Sequence, residues 1–65
     1  VNSLSPGGIY NFQDKVFVNT LKKEIPLGRM AAVDEYKGSI KYLCSEESSY
    51  MTGHNLVVDG GRTLI

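Results

Sequence analysis

Two glycine turns in this sequence could bind a small polar ligand through their backbone groups. Pro6-Gly7-Gly8 follows the first apolar residues, and Asp59-Gly60-Gly61 follows the run Leu56-Val57-Val58. Glycine lets the backbone come close to a ligand, and in open parallel sheets ligands bind beyond the carboxyl ends of the strands. Taken alone, such turns are more often simple chain reversals, so a ligand site requires the elements around them to form such a sheet.

The other reactive side chains give no metal-binding pattern. One cysteine, Cys44, and one histidine, His54, are too few for a metal cluster, and a single cysteine forms no internal disulfide. Cys44 falls on a predicted apolar helix face, which predicts a buried and inert thiol. Arg29 either pairs with a carboxylate or is solvated, an alternative that the sequence leaves open.

Composition excludes several classes of protein. The chain has 65 residues, of which 42% are apolar and 22% charged, and seven basic residues balance seven acidic ones. These values are typical of globular proteins, and a neutral chain favours neither nucleic acid nor an acidic membrane as partner. Because so short a chain buries a small core and shows neither a disulfide nor a metal site, we expect it to be part of a larger protein.

The first half of the sequence predicts a strand followed by a helix. Residues 1–5 are interpreted as the end of a strand, which Pro6-Gly7-Gly8 terminates. Asn11 is a candidate N-cap, and Pro26 ends the helix that follows. One apolar stripe is predicted to face the core; its members are Phe12, Val16, Phe17, Leu21 and Ile25.

The second half predicts another helix and a closing strand. Asp34 is the expected N-cap, and Tyr36, Ile40, Leu43 and Cys44 share one face. Gly38 within this helix suggests that another backbone comes close, either in this chain or across a subunit boundary. Residues 55–59 form an apolar run that suits a buried parallel strand. The order strand, helix, helix, strand predicts a parallel crossover unit of an open α/β sheet.

Five segments, taken in order, resemble the short-chain dehydrogenase/reductase family. They are residues 1–9 with the Pro6-Gly7 turn, Pro26-Leu27-Gly28-Arg29, Asp34-Glu35-Tyr36, Tyr42-Leu43-Cys44-Ser45, and residues 52–61 with the Asp59-Gly60-Gly61 turn. The sequences of residues 28–31 and 49–53 are similar to those of bacterial family members that modify flagellin sugars. The resemblance implies that residues 1–65 are a partial domain, the C-terminal part of a Rossmann-like doubly wound sheet. The glycine-rich dinucleotide turn and the Tyr-x-x-x-Lys pair of the family are absent, so no catalytic residue is assigned.

The resemblance also implies a part of a cofactor site. In the family, the loop after the sixth strand holds the nicotinamide carboxamide of NAD or NADP, and the matching positions are Pro6, Gly7, Ile9 and Asn11. The family has threonine where this sequence has Asn11, so a contact from that position depends on the asparagine amide. Residues 12–21 match a mobile lid over the substrate, in which Phe12, Val16 and Phe17 either pack in the core or line an apolar substrate wall.

The intact protein is then expected to be a cytoplasmic oxidoreductase. It would move a hydride between the cofactor and a carbonyl or hydroxyl carbon of a small molecule, as a dimer or tetramer that contacts itself through residues 36–59. It would bind neither nucleic acid nor membrane. Two other readings stay open: a non-catalytic assembly module with a fragment of the same fold, and a small domain that is stable alone.

Overall fold

Two parallel strands, joined by a long helical crossover, organise the chain. The computed structural model describes residues 1–64. Strand β1 is Ser3–Pro6, helix α1 is Lys15–Glu24, helix α2 is Lys37–Leu43 and strand β2 is Asn55–Val58. Short 3₁₀ helices occupy Val33–Tyr36, Glu46–Ser48 and Arg62–Leu64. This confirms the predicted order and the parallel α/β fold.

The two strands pair directly, so their carboxyl ends lie at the same edge. Ser3 is opposite Asn55 and Pro6 is opposite Val58 in a parallel register. Backbone bonds extend the pairing at both ends, from Ser3 N–H to the His54 carbonyl at 2.9 Å and from Gly7 N–H to the Val58 carbonyl at 3.2 Å. The turns that follow β1 and β2 therefore meet, as the sequence predicted.

Helix α1 begins later than predicted, and a different face of it is buried. Asp14, not Asn11, occupies the N-cap position, because Phe12 adopts a left-handed backbone with φ 55° that no helix can include. Val18 and Ile25 are buried and Leu21 is half-buried. The other predicted stripe members, Phe12, Val16 and Phe17, are exposed. The chain supplies packing partners, among them Met30, on one side of α1 only.

Helix α2 also differs from its predicted form. A 3₁₀ helix over Val33–Tyr36 precedes it, so Asp34 lies inside a turn and is not an N-cap. Tyr36 is buried, as its place on the apolar face predicted, whereas Ile40 and Cys44 are exposed. The prediction of a buried thiol is thus wrong for this chain, because no segment within residues 1–64 covers the Cys44 side chain at the end of α2. A Cβ on Gly38 would have no neighbour within 4 Å, so no backbone of residues 1–64 comes close there.

The core is small and the chain is extended. Its buried cluster is Val18, Ile25 and Met30, with Leu21 against it. The radius of gyration is 13.6 Å, whereas a compact domain of this length has about 11 Å. None of the helices within residues 1–64 is long and apolar enough to cross a membrane. The buried cluster therefore lies between α1 and the segment that carries Met30, and the two strands add their backbone pairing.

Candidate cofactor-loop site

A buried tyrosine hydroxyl joins the two strand ends. Tyr36 Oη accepts a hydrogen bond from Gly7 N–H at 3.0 Å and donates one to the Val58 carbonyl at 2.6 Å. The Tyr36 residue is only 6% exposed. We call this arrangement of Gly7, Tyr36 and Val58 the Tyr36 bridge. Sequence reasoning placed Tyr36 on an apolar face without a polar role; the signal was available, because a buried tyrosine hydroxyl usually finds a partner.

Glycine is required where the loop after β1 (residues 7–11) passes β2. A Cβ on Gly7 would lie 2.7 Å from Asp59 Cβ and 2.8 Å from Asp59 Cα. Such distances are shorter than packed carbon atoms tolerate, so a side chain at position 7 would force the loop away from β2. The glycine is thus required for contact with the second turn, whereas the close approach to a ligand stays a prediction.

The connector between the helices holds the same loop from the other side. Ile9 forms a parallel bridge with Ala31. In it, Tyr10 N–H donates to the Ala31 carbonyl at 2.8 Å and Ala31 N–H donates to the Gly8 carbonyl at 2.9 Å. In a parallel bridge, the N–H and carbonyl of Ile9 face away from Ala31. The Ile9 N–H makes no hydrogen bond with any of residues 1–64.

Gln13 closes the end of this loop. Its Nε2 donates to the Ile9 carbonyl at 2.9 Å, and its Oε1 accepts from Asn11 N–H at 2.7 Å. The Gln13 side chain therefore satisfies backbone groups of the loop before α1, whereas the helix itself has no side-chain bond at its N-cap. Because a carbonyl oxygen has two lone pairs, Ile9 can still accept one more hydrogen bond.

An ion pair fixes the connector that carries Ala31. Arg29 binds Glu35 through two parallel bonds, Nη1 to Oε1 at 2.6 Å and Nη2 to Oε2 at 3.0 Å. Glu35 Oε1 also accepts from Ala32 N–H at 2.8 Å. The bond from Arg29, and then that from Ala32, lower the pKa of Glu35 to about 2, and Glu35 in turn raises the pKa of Arg29. Of the two alternatives for Arg29, the structure shows the pair.

The Asp59 carboxylate organises the turn after β2. Its Oδ1 accepts from Gly61 N–H at 3.0 Å and its Oδ2 accepts from Thr63 N–H at 3.1 Å. Desolvation alone would raise the Asp59 pKa, but the bonds from Thr63 and Gly61 outweigh it and hold that pKa below its ordinary value. Gly60 and Gly61 have φ of 66° and 93°, which confirms a structural turn with a left-handed backbone.

These contacts surround a small cleft at the carboxyl edge of the sheet. Its volume is about 110 Å³. A larger cleft of about 540 Å³ lies between α1 and the connector. The small cleft is lined by Gly8, Ile25, Leu27, Arg29, Ala31, Glu35, Tyr36, Val58, Asp59 and Gly60. Within residues 1–64, no group of three His, Cys, Asp or Glu side chains could hold a metal ion.

The predicted site residues are brought together in part. Pro6 ends β1 opposite Val58, and Gly7 contacts the β2 turn directly. Ile9 follows in the same loop with a free N–H. Asn11 lies beyond it, exposed, and its side chain makes no hydrogen bond with residues 1–64. The structure thus gives three of the four residues a common setting at the strand ends.

Known proteins are similar to this chain in sequence and in backbone structure. Residues 1–63 match the family described as enoyl-(acyl carrier protein) reductase. A D-arabinitol 2-dehydrogenase (ribulose-forming) of Scheffersomyces stipitis is 52% identical over 69 residues, with 94% of this chain and 25% of that protein covered. A short-chain dehydrogenase of Leptospira borgpetersenii with bound NAD⁺ superimposes with a TM-score of 0.92 at 43% identity, covering 97% of this chain and 25% of that one.

A third relative carries the other cofactor. A gluconate 5-dehydrogenase of Burkholderia cenocepacia, in complex with NADP and tartrate, has a TM-score of 0.89 at 36% identity, with 98% of this chain and 28% of that chain covered. The chain belongs to the short-chain dehydrogenase/reductase family. It spans about a quarter of the length of the relatives that it matches.

Proposed function

We propose that this chain acts within a full-length short-chain dehydrogenase/reductase, where it holds the nicotinamide end of NAD or NADP. The observation that carries the proposal is the loop after β1, whose free Ile9 N–H is held between two backbone anchors at the carboxyl edge of the sheet. Similarity to a NAD⁺-bound dehydrogenase and to an NADP-bound one supports the cofactor class.

The residues present fit a carboxamide. A primary amide offers one carbonyl acceptor and an N–H donor pair. The free Ile9 N–H can donate to the first, and the remaining lone pair of the Ile9 carbonyl can accept from the second. Backbone groups orient the amide without side-chain bulk, and Gly7 keeps the loop close to β2. The Asn11 amide is exposed and could add a contact.

The dinucleotide supplies hydride chemistry when bound. In oxidation, the substrate's hydroxyl-bearing carbon loses a hydride to the nicotinamide and its oxygen loses a proton, which leaves a carbonyl. No residue of this chain is assigned to the proton transfer. Its loop instead fixes which face and position the nicotinamide presents, which contributes to catalysis by orientation.

For the substrate we propose a polyhydroxylated small molecule. The relatives named for D-arabinitol and gluconate support this class. We further propose that α1 and the residues before it form a lid over the substrate, a role that the exposure of Phe12, Val16 and Phe17 leaves open. The narrower similarity to flagellin-sugar members stays a prediction, which these relatives do not test.

We also propose that the intact protein is a cytoplasmic homo-oligomer, with residues 36–59 as its contact surface. The exposure of Ile40 and Tyr50 in this segment is compatible with such a contact. The remainder of the dehydrogenase domain is the partner of the exposed strand edges, because a two-stranded sheet is marginally stable alone.

The test compares two variants at Ile9 in the full-length product of the reading frame that encodes this chain. Ile9→Pro removes the N–H, while Ile9→Val keeps the backbone and most of the side chain. Calorimetric titration with NAD⁺ and NADP⁺ measures the affinity of each variant. Ile9→Pro should bind at least about tenfold more weakly than wild type, whereas the affinity of Ile9→Val should be close to that of wild type. Equal affinities would remove Ile9 from the site. A wild-type protein that binds neither dinucleotide would favour the assembly-module alternative.

A further inference from the structure

We infer that Tyr36 is a positioning residue for the nicotinamide: its hydroxyl fixes the cofactor loop against the end of β2. The inference rests on the proposed function, since it assigns a role toward the same loop. Tyr36 would not touch the cofactor itself. It acts through Gly7, which lies two residues before the proposed carboxamide contact at Ile9.

The geometry singles out the hydroxyl. Gly7 N–H lies 3.2 Å from the Val58 carbonyl oxygen and 3.0 Å from Tyr36 Oη, while Oη lies 2.6 Å from the same carbonyl. One hydroxyl therefore connects the end of β1, the end of β2 and the turn before α2. Because Tyr36 is buried, water does not compete freely for these bonds.

The Tyr36 bridge is one of two anchors that together determine where Ile9 lies. The bridge holds Gly7, and the backbone bonds of Ala31 hold Gly8 and Tyr10. The Ile9 N–H lies between these anchors on the face that Ala31 leaves free. Without the hydroxyl, Gly7 keeps only its 3.2 Å bond to the Val58 carbonyl, so the loop is held less firmly on that side. The loop must then lose more conformational freedom when it binds the nicotinamide, and that loss lowers affinity.

Tyr36→Phe should leave the fold intact. The Gly7 N–H and the Val58 carbonyl can still bind each other, so neither becomes an unpaired buried group. The buried ring of residue 36 is also kept. The variant therefore separates loop positioning from folding. Its free energy of unfolding should change little, whereas its affinity for the nicotinamide end of the cofactor should fall.

The experiment measures affinities for two ligands in the full-length protein. One ligand is NAD⁺ or NADP⁺, whichever wild type binds more tightly; the other is the same nucleotide without nicotinamide, ADP-ribose or its 2′-phosphate. Tyr36→Phe should lower the affinity for the dinucleotide about fivefold to tenfold, which corresponds to the free energy of one hydrogen bond. Its affinity for ADP-ribose should stay within about twofold of the wild-type value. Tyr42→Phe is the matched control, because its hydroxyl on α2 makes no hydrogen bond with residues 1–64.

Two results would overturn the inference. An equal loss of affinity for both ligands in Tyr36→Phe would show that Tyr36 is merely structural. Unchanged affinity for both ligands would show that the hydroxyl is dispensable. If Tyr36→Phe lowers the yield of folded protein, Gly7→Ala displaces the same loop from β2 and should give the same selective loss. A wild type that binds ADP-ribose but not the dinucleotide, or neither, would instead refute the proposed function.

Discussion

Replacing Gly7 with alanine should separate the loop after β1 from the end of β2. The new methyl group would meet Asp59 Cβ at 2.7 Å and Asp59 Cα at 2.8 Å. One of these atoms belongs to the backbone, and the other is fixed directly to it, so no side-chain rotation relieves the contact. The backbone of Gly7 is not left-handed, so alanine adds no conformational strain and its cost reports the close approach alone.

The neighbouring glycine provides the matched control. A Cβ on Gly8 would meet Leu21 Cδ2 at 2.8 Å, the flexible end of a half-buried side chain. Both substitutions remove the same unfolded-chain freedom, which favours the folded state by about 0.4–1 kcal/mol. Overpacking against a rigid neighbour costs about 1–3 kcal/mol. We therefore expect Gly7→Ala to be less stable than Gly8→Ala by at least about 1 kcal/mol.

Urea unfolding of the full-length variants, followed by circular dichroism, measures this difference. A change in the urea midpoint at a constant m-value reports a change in the free energy of unfolding. Thermal unfolding provides a second measure, since each kcal/mol corresponds to about 2–4 °C in melting temperature for a domain of 150–250 residues. If Gly7→Ala proved as stable as Gly8→Ala, the two strand ends would not approach as closely as the structure shows. The argument for a glycine-dependent loop position would then fail.

Three further predictions follow from the structure. The isolated 65-residue chain should show no cooperative thermal transition by circular dichroism, because its core is small and its radius of gyration is large; a sigmoidal melt of the monomer would contradict this. Glu35 is stabilising above its ordinary pKa of 4.5 and loses that contribution as the pH falls towards about 2, so Glu35→Gln should lower the urea midpoint at pH 7 but barely at pH 2. Gly38→Ala, which meets no atom of residues 1–64, should weaken the proposed oligomer in sedimentation; unchanged sedimentation with a higher melting temperature would place Gly38 outside that contact.

The strands and their turns were predictable because local chemistry decides them. The run Leu56-Val57-Val58 and the two glycine turns are features of adjacent residues, and the structure places them as the sequence predicted. The same holds for the end of α1 before Pro26. Helix starts were predicted less well: Phe12 has a left-handed backbone with φ 55°, so the helix cannot begin after Asn11 and starts at Lys15.

Burial was harder to predict, since periodicity gives a face but not what covers it. Val16 and Val18 belong to the same helix, yet only Val18 meets the connector and is buried. Cys44 lies on the predicted apolar face and is exposed for the same reason. A hydrogen bond from the buried Tyr36 hydroxyl was predictable, but its partners were not, because they lie 22 and 29 positions away and no local pattern encodes such contacts.

The distribution of these long-range contacts explains how a chain to which no catalytic residue is assigned could hold the proposed cofactor loop in place. The loop after β1 is fixed by Val58, Tyr36 and Ala31, which lie on three separate segments. Most of these contacts are made by backbone groups, and the side-chain contacts to the loop come from Tyr36 and Gln13. The Tyr36 hydroxyl should be replaceable without unfolding the chain, yet it bonds Gly7, two residues before Ile9. We therefore expect Tyr36→Phe, which keeps the buried ring, to alter nicotinamide binding before it alters stability.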